Sequence, residues 1–403
     1  MQLIDIPQFI RTYITKREKS FFEQDIQRNY DLLTSKIQGK SILVVGGAGS
    51  IGSSYIKSIL RFRPKKIIVV DTNENGLTEL VRDLRSTIDQ YIPEEFITYP
   101  INFGDPVFEK MFNAHKPFQI VANFAAHKHV RSEKDQFSIE AMIHNNVIKA
   151  KIFLDLLVKN KPEYFFCVST DKAANPVNVM GATKKLMEDV IMAYSQDIHI
   201  TTARFANVAF SNGSLLDGYT QRIIKNQPIS CPLDVKRFFV SPEESGQICM
   251  LACLLGDSGD IFFPKLGTEE MVNFKNITLD FFLSMGRKIH VCTSENEAKL
   301  LASTLTDNDP YPIFFFQSNT SGEKLYEEFY TNEDYLDIKK YESLGVIKNA
   351  KRTSISEVDS CLDEIKKVLS KETYSKEDLV VILKQYLPDF QHIETGKSLD
   401  TKM

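Results

Sequence analysis

The sequence predicts an α/β protein with a doubly wound parallel sheet, and three observations support this. From Lys40 to Arg204, short runs rich in β-branched and apolar residues alternate with longer segments of helical periodicity. Several of the short runs are almost continuously apolar, as strands covered on both faces are. The first run leads directly into the glycine-rich segment Gly46–Gly52, which opens a helix. Together these features indicate a Rossmann-type fold.

The first 38 residues precede this pattern and predict an N-terminal helical extension. Apolar residues recur at helical spacing from Phe9 to Ile14 and again from Phe21 to Leu33, which predicts two helices. Such a segment serves either as a packing arm or as an oligomer contact, and both interpretations stay open. We expect a homo-oligomer.

The alternating region, residues 39–205, is expected to form the Rossmann domain. Its predicted strands are 41–45, 66–70, 96–99, 119–124, 164–169 and 198–204, and its predicted helices are 50–60, 76–88, 106–113, 138–157 and 182–194.

After Arg204 the alternation decays into turn-rich segments, short helices and the aromatic-rich strand Pro312–Phe316. We expect residues 206–391 to form mainly a smaller C-terminal substrate-binding domain. Residues 392–403 are polar and are expected to be a disordered tail.

Composition and charge exclude several classes of protein. The chain of 403 residues is 43% hydrophobic and 25% charged, with a net charge of -4, so it has no broad basic field for nucleic acid or an acidic membrane surface. Its start lacks the pattern of a signal peptide, and no apolar stretch approaches the roughly 20 residues that cross a membrane. We therefore expect a cytoplasmic protein that neither binds nucleic acid nor inserts into a membrane.

Two groups of metal-binding residue types have simpler interpretations. Cys249 and Cys253 share one face of an apolar helix, which predicts buried thiols. His127 and His129 have no cysteine or further histidine nearby in sequence, so they do not form a metal-binding motif. We expect no metal site.

The glycine-rich loop predicts a dinucleotide site. Gly46, Gly49 and Gly52 allow a tight turn and close approach of the backbone to a pyrophosphate, and the helix that begins at Ser50 and Ile51 presents free N–H groups. These five residues are expected to bind the cofactor.

Asp71 ends the second strand, where an acid accepts hydrogen bonds from the adenosine ribose and disfavours a 2′-phosphate. This favours NAD, although Arg82 and Arg85 on the next helix leave NADP open. The alternative is an aspartate that merely caps the following helix.

Two further pairs belong to the predicted cofactor site. Asn102 and Phe103, after the third strand, are expected to flank the adenine. Ala125 and Ala126, after the fourth strand, leave room for the cofactor backbone.

The most informative passage is STDKAANPVNVMGATK, from Ser169 to Lys184, which begins where a strand ends. With the glycine-rich loop, it resembles extended short-chain dehydrogenases/reductases. More narrowly, the chain is similar from about Lys40 to about Tyr330 to nucleotide-sugar 4,6-dehydratases of the polysaccharide-biosynthesis family that act on UDP-N-acetylglucosamine. The other matching segments are FAAHKHV (124–130), NV (146–147), RFANV (204–208), NGS (212–214), RFF (237–239) and GEKLYEE (322–328).

The chain departs from that pattern at two places. Met180 stands where the superfamily's YxxxK motif has its tyrosine base, as in some branches of the dehydratase family, whereas 4-epimerases depend on the tyrosine. Thr320 and Ser321 replace the family's Arg-Pro, which removes one expected cation for the diphosphate and leaves UDP against GDP open.

The resemblance implies a reaction in which hydride passes from sugar C4 to the nicotinamide, water is eliminated across C5 and C6, and the hydride returns to C6. In this scheme Lys172 removes H5 and Asp171 protonates the departing C6 hydroxyl. Asp171 is also the preferred acceptor of the C4 hydroxyl proton. Such roles need a raised pKa for Asp171 and a lowered pKa for Lys172, which desolvation favours and a direct ion pair opposes.

The resemblance also assigns the remaining positions. Thr170 polarises the C4 oxygen, Met180 occupies the tyrosine position, and Lys184 hydrogen-bonds the nicotinamide ribose. The residues expected to contact the nucleotide sugar are Lys128, His129, Asn207, Ser211, Ser214 and Arg237.

For the diphosphate, Arg237 is the first choice, since a guanidinium matches two oxygens. A surface arginine beside two buried phenylalanines is the plain alternative. For the function, a C5-inverting dehydratase, a 4-epimerase and a catalytically silent nucleotide-binding protein remain open beside the 4,6-dehydratase. Met180 argues against the epimerase, and the intact Asp171 and Lys172 argue against the silent protein.

Overall fold

A computed structural model describes residues 4–318, 322, 324, 326–348, 350 and 352–394. Its strands are β1 Ser41–Val45, β2 Lys66–Val70, β3 Glu95–Tyr99, β4 Ile120–Asn123, β5 Tyr164–Val168, β6 Ile200–Ala203, β7 Asn207–Val208, β8 Ile229–Pro232, β9 Lys236–Arg237, β10 Phe239–Val240, β11 Ile261–Pro264, β12 Val272–Asn273, β13 Ile289–Cys292, β14 Tyr311–Phe316, β15 Leu336–Asp337 and β16 Leu344–Ile347.

Its helices are α1 Ile6–Phe9, α2 Glu23–Arg28, α3 Tyr30–Ile37, α4 Ser50–Leu60, α5 Glu74–Ser86, α6 Pro106–His115, α7 Gln136–Ile143, α8 Lys149–Lys159, α9 Val179–Ala193, α10 Leu215–Ile224, α11 Pro242–Leu255, α12 Phe274–Ser284, α13 Glu295–Ser303, α14 Ile355–Leu369 and α15 Lys376–Tyr386. Two stretches, Ile10–Thr15 and His144–Ile148, are π-helical.

The main sheet confirms the predicted fold class. Within the described residues it has nine strands in the order β15-β16-β11-β6-β5-β4-β1-β2-β3, and β3 to β6 and β11 run parallel with β1 and β2. The order reverses between β1 and β4, so the crevice at their carboxyl ends is the switch point where such sheets bind ligands. β1 and β2 are buried apart from their first residues, as strands covered on both faces are.

The later strands complete this sheet and build a smaller one. β11 joins β6, and β16 and β15 follow in antiparallel pairing, so the sheet draws strands from both sides of residue 205. The expected domain boundary there is not a boundary of the sheet. β13, β14 and β8 form a separate parallel sheet, with α12 against β8 and α13 against β14.

The N-terminal extension packs into two hydrophobic cores. Phe9, Ile10 and Ile14 lie in a core with residues of α10, α12 and β14, whereas Phe22 and Leu33 lie in the main core. The extension therefore serves as a packing arm within the chain.

The C-terminal helices return to the Rossmann part. α14 and α15 both pack on α9 and share the main core through residues such as Leu362 and Leu383. Cys249 and Cys253 are fully buried in α11, as predicted. Across the described part of the chain, every helix is too short or too polar to cross a membrane.

Candidate active site

The glycine-rich loop closes tightly where β1 ends. Gly46 has a φ of 74°, and a Cβ atom on it would lie 2.5 Å from the backbone nitrogen of Ala125, just beyond β4. A Cβ atom on Gly52 would lie 2.3 Å from the carbonyl oxygen of Gly46. Both contacts require glycine, and they bring β1, β4 and α4 together at the switch point.

The start of α4 is open toward this crevice. Gly49 precedes its first residue, and no described side chain caps the helix. The first N–H groups of α4 and the positive end of its dipole are therefore suited to a phosphate group.

Asp71 holds the same loop from the end of β2. Its Oδ2 accepts a hydrogen bond from the Ala48 N–H at 3.0 Å, and its Oδ1 accepts one from the Asn73 N–H at 2.9 Å. Asn73, and not Asp71, caps α5 by accepting from the Gly76 N–H. The alternative that Asp71 merely caps the next helix is therefore wrong.

One groove gathers almost all of the predicted cofactor residues, together with Lys128 from the predicted substrate set. The cofactor residues that line it are Gly46, Gly49, Ser50, Ile51, Gly52, Asp71, Asn102, Phe103, Ala125 and Ala126.

Lys184 is outside this lining. Its side chain is 4% exposed, and Nζ donates to the carbonyl oxygen of Val168 at 2.6 Å, at the end of β5. Burial favours the neutral amine and lowers the pKa of Lys184. In this structure the amine of Lys184 is bound to the backbone at the end of β5.

Asp171 lies between two more accessible neighbours on a short 3₁₀ turn after β5. Its Oδ1 accepts from Thr170 Oγ1 at 2.8 Å and from the Lys172 backbone N–H at 2.9 Å, and it lies 3.1 Å from Lys172 Nζ. The side chain of Asp171 is 2% exposed, and Oδ2 is buried without a hydrogen bond to any described residue. Thr170 and Lys172, both partly exposed, connect Asp171 with the open side of the turn.

Glu327 joins this cluster from a distant part of the sequence, and it was not among the predicted site residues. Its Oε1 lies 3.4 Å from Lys172 Nζ and 3.9 Å from Arg237 Nε. Its side chain is 3% exposed, and Oε2 is buried without a described hydrogen-bond partner. The available signal was the GEKLYEE segment, which carried part of the family resemblance.

The pKa of Lys172 is raised, and this corrects the expectation for that residue. Burial favours the neutral amine, but the carboxylates of Asp171 and Glu327 outweigh burial and stabilise the ammonium. The direct ion pair that opposes a lowered pKa is therefore present. Burial also raises the pKa of Glu327, against the attraction of Lys172.

Arg237 lies in this cluster and is buried, so the interpretation as a surface arginine is wrong. Its side chain is 8% exposed, and its guanidinium donates to the carbonyl oxygen of Lys236 at 2.8 Å.

Met180 is buried in the first turn of α9, one helical turn before Lys184. Asn178 caps this helix by accepting from the Gly181 N–H, and the Val179 N–H donates to Glu133 at 2.6 Å. The start of α9 also packs against the 3₁₀ turn that carries Asp171.

The segment between that turn and α9 also binds the end of the described chain. The Gln391 and Ile393 N–H groups donate to the carbonyl oxygens of Pro176 and Val177 at 3.2 and 2.9 Å. The start of the expected disordered tail is thus hydrogen-bonded, whereas residues 395–403 lie outside the described part.

Of the other predicted substrate residues, Ser211, Ser214 and His129 lie near the start of α4, at the mouth of the groove. The loop from Ser211 to Ser214 reaches α4, where the Asn212 N–H donates to Ser50 Oγ at 2.9 Å. Gly213 of this loop faces the ring of His129. Ser214 caps α10 through the Asp217 N–H, and Asn207 pairs with Phe239 between β7 and β10.

Asn146 was not among the predicted site residues. It hydrogen-bonds the backbone of His127, which lines the groove. Its side-chain amide accepts from the His127 N–H at 2.8 Å and donates to the His127 carbonyl oxygen at 3.0 Å. It lies in a π-helical stretch of the predicted helix 138–157, a feature frequent at functional sites. Burial lowers the pKa of the neighbouring Lys128 and His129.

Comparison with protein families and curated proteins places these features in context. A family model described as "Polysaccharide biosynthesis protein" matches residues 42–349. An uncharacterized membrane protein of Methanocaldococcus jannaschii is 30% identical over 80% of this chain and 88% of its own. The capsular polysaccharide biosynthesis protein CapD of Staphylococcus aureus is 27% identical over 87% of this chain, but the match spans only 55% of CapD. A UDP-N-acetylglucosamine 4,6-dehydratase (inverting) of Campylobacter jejuni is 28% identical over 58% of this chain and 70% of its own.

Solved structures share the fold at lower identity. Pen from Bacillus thuringiensis superimposes with a TM-score of 0.62 and 20% identity, covering 79% of this chain and 92% of Pen. DesIV of Streptomyces venezuelae, a dTDP-glucose 4,6-dehydratase solved with NAD and TYD bound, gives a TM-score of 0.56 at 15% identity, covering 79% of this chain and 94% of DesIV.

Proposed function

Because the chain belongs to the polysaccharide biosynthesis protein family, we propose that it is a nucleotide-sugar 4,6-dehydratase. The proposed substrate is UDP-N-acetylglucosamine or a close nucleotide N-acetylhexosamine, and the product is the 4-keto-6-deoxy sugar. One observation carries the proposal. A buried acid and a lysine, Asp171 and Lys172, lie in contact at the carboxyl end of β5 in a Rossmann sheet with a glycine-rich groove.

The groove fits a nicotinamide dinucleotide. The glycine-rich loop has no room for a Cβ atom at Gly46 or Gly52, and the uncapped start of α4 is suited to the pyrophosphate. Asp71 would hold the adenosine ribose, which favours NAD over NADP. Bound there, the dinucleotide would supply the hydride acceptor for C4 and the hydride donor for C6, so it would end each turnover as it began.

Three residues of the turn have separate roles in the proton transfers. Thr170 donates to Asp171, so the proton of the C4 hydroxyl can reach the buried carboxylate through the threonine hydroxyl. Asp171 then holds the proton that the C6 oxygen needs when it leaves as water. Lys172 is the more exposed member of the pair and takes H5.

Met180 supports a dehydratase over a 4-epimerase. A thioether cannot exchange a proton with a sugar hydroxyl, so the tyrosine position of this chain is chemically silent. Proton transfer at C4 therefore depends on Thr170 and Asp171.

The nucleotide end is assigned to the loop of Ser211 and Ser214 and to Lys128 and His129, which lie together at the mouth of the groove. Arg237 contacts Glu327 instead. In this structure it belongs to the charge cluster, and a contact with the diphosphate stays a prediction.

NMR of the purified protein with UDP-N-acetylglucosamine in deuterated water tests the proposal. A 4-keto-6-deoxy product with deuterium at C5 supports it, and the C5 configuration reports retention or inversion, since one relative is named an inverting enzyme. A product changed only at C4 would identify an epimerase. Binding without turnover of any UDP- or GDP-linked N-acetylhexosamine would favour a silent nucleotide-binding protein and contradict the proposal.

A further inference from the structure

The proposed role of Lys172 conflicts with its charged surroundings. A lysine that removes H5 must be a neutral amine, yet two carboxylates hold this one as an ammonium. Before each elimination step Lys172 must therefore lose a proton, and the proton needs an acceptor inside the site.

Glu327 is placed to be that acceptor. Its Oε1 lies 3.4 Å from Lys172 Nζ, and its Oε2 is buried without a hydrogen bond to any described residue. The side chain of Lys172 is 19% exposed, whereas that of Glu327 is only 3% exposed. Glu327 is therefore the deeper of the two side chains, and in the proposed reaction it acts only through the lysine.

Asp171 is less suited to this task. Its Oδ1 already accepts hydrogen bonds from Thr170 and from the backbone of Lys172, and the proposed reaction uses Asp171 for the C4 and C6 protons. If it also took the proton of Lys172, it would be protonated before the C4 hydroxyl had reacted.

We propose that Glu327 is a positioning residue that accepts a proton from Lys172 and so converts the lysine into the neutral base. The proposal rests on the dehydratase function proposed above and names a residue that the family motif alone did not place in the site.

The proton transfers balance over one turnover. The Nζ–H proton of Lys172 moves to Glu327 Oε1, leaving a neutral amine and a carboxylic acid. The amine takes H5 as a proton, the electrons of the C5–H bond form the C5–C6 double bond, and the C6 oxygen leaves as water with the proton of Asp171. When C6 is reduced, Lys172 returns a proton to C5, and the proton on Glu327 returns to Lys172.

The charged groups that face Glu327 come from several elements. They include Lys172 and Asp171 on the catalytic turn, Arg237 on β9 and Lys324 on its own segment. The cations favour its carboxylate and burial favours its acid form, so the site can hold both forms during turnover.

The test compares Glu327→Gln with the unaltered protein and with Glu333→Gln, which changes an exposed glutamate of the same segment. Two signals are followed with UDP-N-acetylglucosamine in deuterated water: absorbance of the reduced nicotinamide on mixing, and exchange of H5. The amide keeps the shape of Glu327 but cannot take a proton, so Glu327→Gln should still reduce the cofactor. Near neutral pH, its H5 exchange should be at least about tenfold slower.

The pH profile separates this role from a structural one. In the unaltered protein the proton stays within the Lys172–Glu327 pair, so H5 exchange should change little between about pH 6.5 and pH 8.5. In Glu327→Gln, Lys172 must lose its proton to solvent, so exchange should rise by up to about tenfold per pH unit. Glu327→Asp should keep the flat profile at a reduced rate, and it decides the matter if Glu327→Gln does not fold.

Each other outcome decides against the proposal. An unchanged rate and profile in Glu327→Gln would show that Lys172 uses another acceptor. Equal loss of cofactor reduction and H5 exchange would place Glu327 in the first step or in folding. If the unaltered protein neither reduces its cofactor nor exchanges H5, the dehydratase function itself is wrong, a result distinct from failure in the variant alone.

Discussion

Glu188 of α9 and Arg204, the residue after β6, form a buried bidentate ion pair next to the end of β5, where the turn that carries Asp171 begins. Arg204 Nε and one terminal nitrogen lie 2.9 and 2.7 Å from the two carboxylate oxygens of Glu188, and the side chains are 4% and 1% exposed. Ser169, which precedes Thr170, donates to Glu188 at 2.6 Å, and Arg204 also donates to the carbonyl oxygen of Phe329 at 3.1 Å. The pair therefore joins the catalytic turn to the segment that carries Glu327.

This ion pair predicts a dependence of stability on pH. Burial works against the charge of Glu188, but the Arg204 guanidinium outweighs it and lowers the pKa of Glu188. A lowered folded pKa contributes stability above the unfolded value of about 4.3, and this stability is lost as the pH falls through the folded pKa. Glu188→Gln should cost roughly 3–5 kcal/mol near pH 7, because it leaves Arg204 without its counter-charge.

Urea unfolding at neutral and acidic pH measures the effect. The gap between Glu188→Gln and the unaltered protein should begin to shrink below about pH 4, where Glu188 of the unfolded chain takes up a proton, and it should close as the pH falls through the lowered folded pKa. Glu109→Gln, on the exposed face of α6, is the matched control and should change stability little at either pH. A gap of the same size at both pH values would contradict the assignment.

The glycine at the start of the cofactor loop predicts a second effect. An alanine at position 46 needs a left-handed backbone, which disfavours it by roughly 1–2 kcal/mol, and its Cβ would overlap the backbone at Ala125. Gly46→Ala should therefore lower thermal stability and remove bound cofactor. Gly218→Ala is the control, because its Cβ on α10 would meet no atom within 4 Å and should stabilise the helix by roughly 0.5–1 kcal/mol. Normal cofactor content in Gly46→Ala would show that the loop tolerates a side chain there.

Asp71 predicts the choice of cofactor. Asp71→Asn removes the negative charge beside the ribose, so the ratio of NAD to NADP affinity should fall at least tenfold, about 1.4 kcal/mol. The ratio is the proper measure because Asp71 also binds the Ala48 N–H, and loosening the loop weakens both cofactors. Titration calorimetry gives both affinities, with Asp83→Asn on α5 as control. If the unaltered protein already prefers NADP by tenfold, the interpretation of Asp71 is wrong.

The sequence was sufficient to locate the structural elements that depend on local patterns. Apolar runs separated by helical periodicity located β1 to β6 within about two residues at either end, and the glycine-rich loop located the groove. Residues of this kind, such as Gly46 and Asp71, lie close together along the chain or at the ends of neighbouring strands.

Features made by distant segments were beyond the sequence patterns. Glu327 reaches Lys172 from a segment that leads into β15 of the main sheet and that Arg204 holds at the carbonyl oxygen of Phe329. No local pattern reports such a contact. The adjacent Asp171 and then Glu327 raise the pKa of Lys172 against burial, and the second of these carboxylates was missed. Arg237 was expected to bind the diphosphate from the family resemblance and from the shape of its guanidinium, which stays a prediction, and its burial beside Glu327 became visible only in the fold.

Substitutions of Lys172 and Asp171 should block the reaction at different steps. Lys172→Ala should still give reduced nicotinamide on mixing with substrate but should not exchange H5, because only the elimination needs the amine. Asp171→Asn should lose the reduced-nicotinamide signal as well, and its turnover should fall on the order of 10²–10⁴-fold, the usual contribution of a positioned acid or base. Lys185→Ala, on α9 and paired with Asp189, is the control. Normal H5 exchange in Lys172→Ala would exclude Lys172 as the base.

Met180 gives the last prediction, which asks whether a side chain at the tyrosine position is needed for chemistry at all. Met180 is 2% exposed, so truncation to alanine would open a cavity and lower the free energy of unfolding by roughly 2–5 kcal/mol. A loss of activity in that variant could then come from unfolding and not from catalysis. Met180→Leu keeps the volume and costs less than about 1.5 kcal/mol, so it isolates the chemical question. If the position only fills space, Met180→Leu should retain turnover within about threefold, with unchanged cofactor content and H5 exchange. Lys184→Met serves as the comparison one turn further on. It should reduce cofactor content, because it removes the amine that binds the carbonyl oxygen of Val168 at the end of β5 and that the family resemblance assigns to the nicotinamide ribose. Loss of turnover in Met180→Leu, with folding and cofactor content intact, would mean that the thioether itself contacts the substrate or the nicotinamide, and the dehydratase mechanism would then need a role for its sulfur.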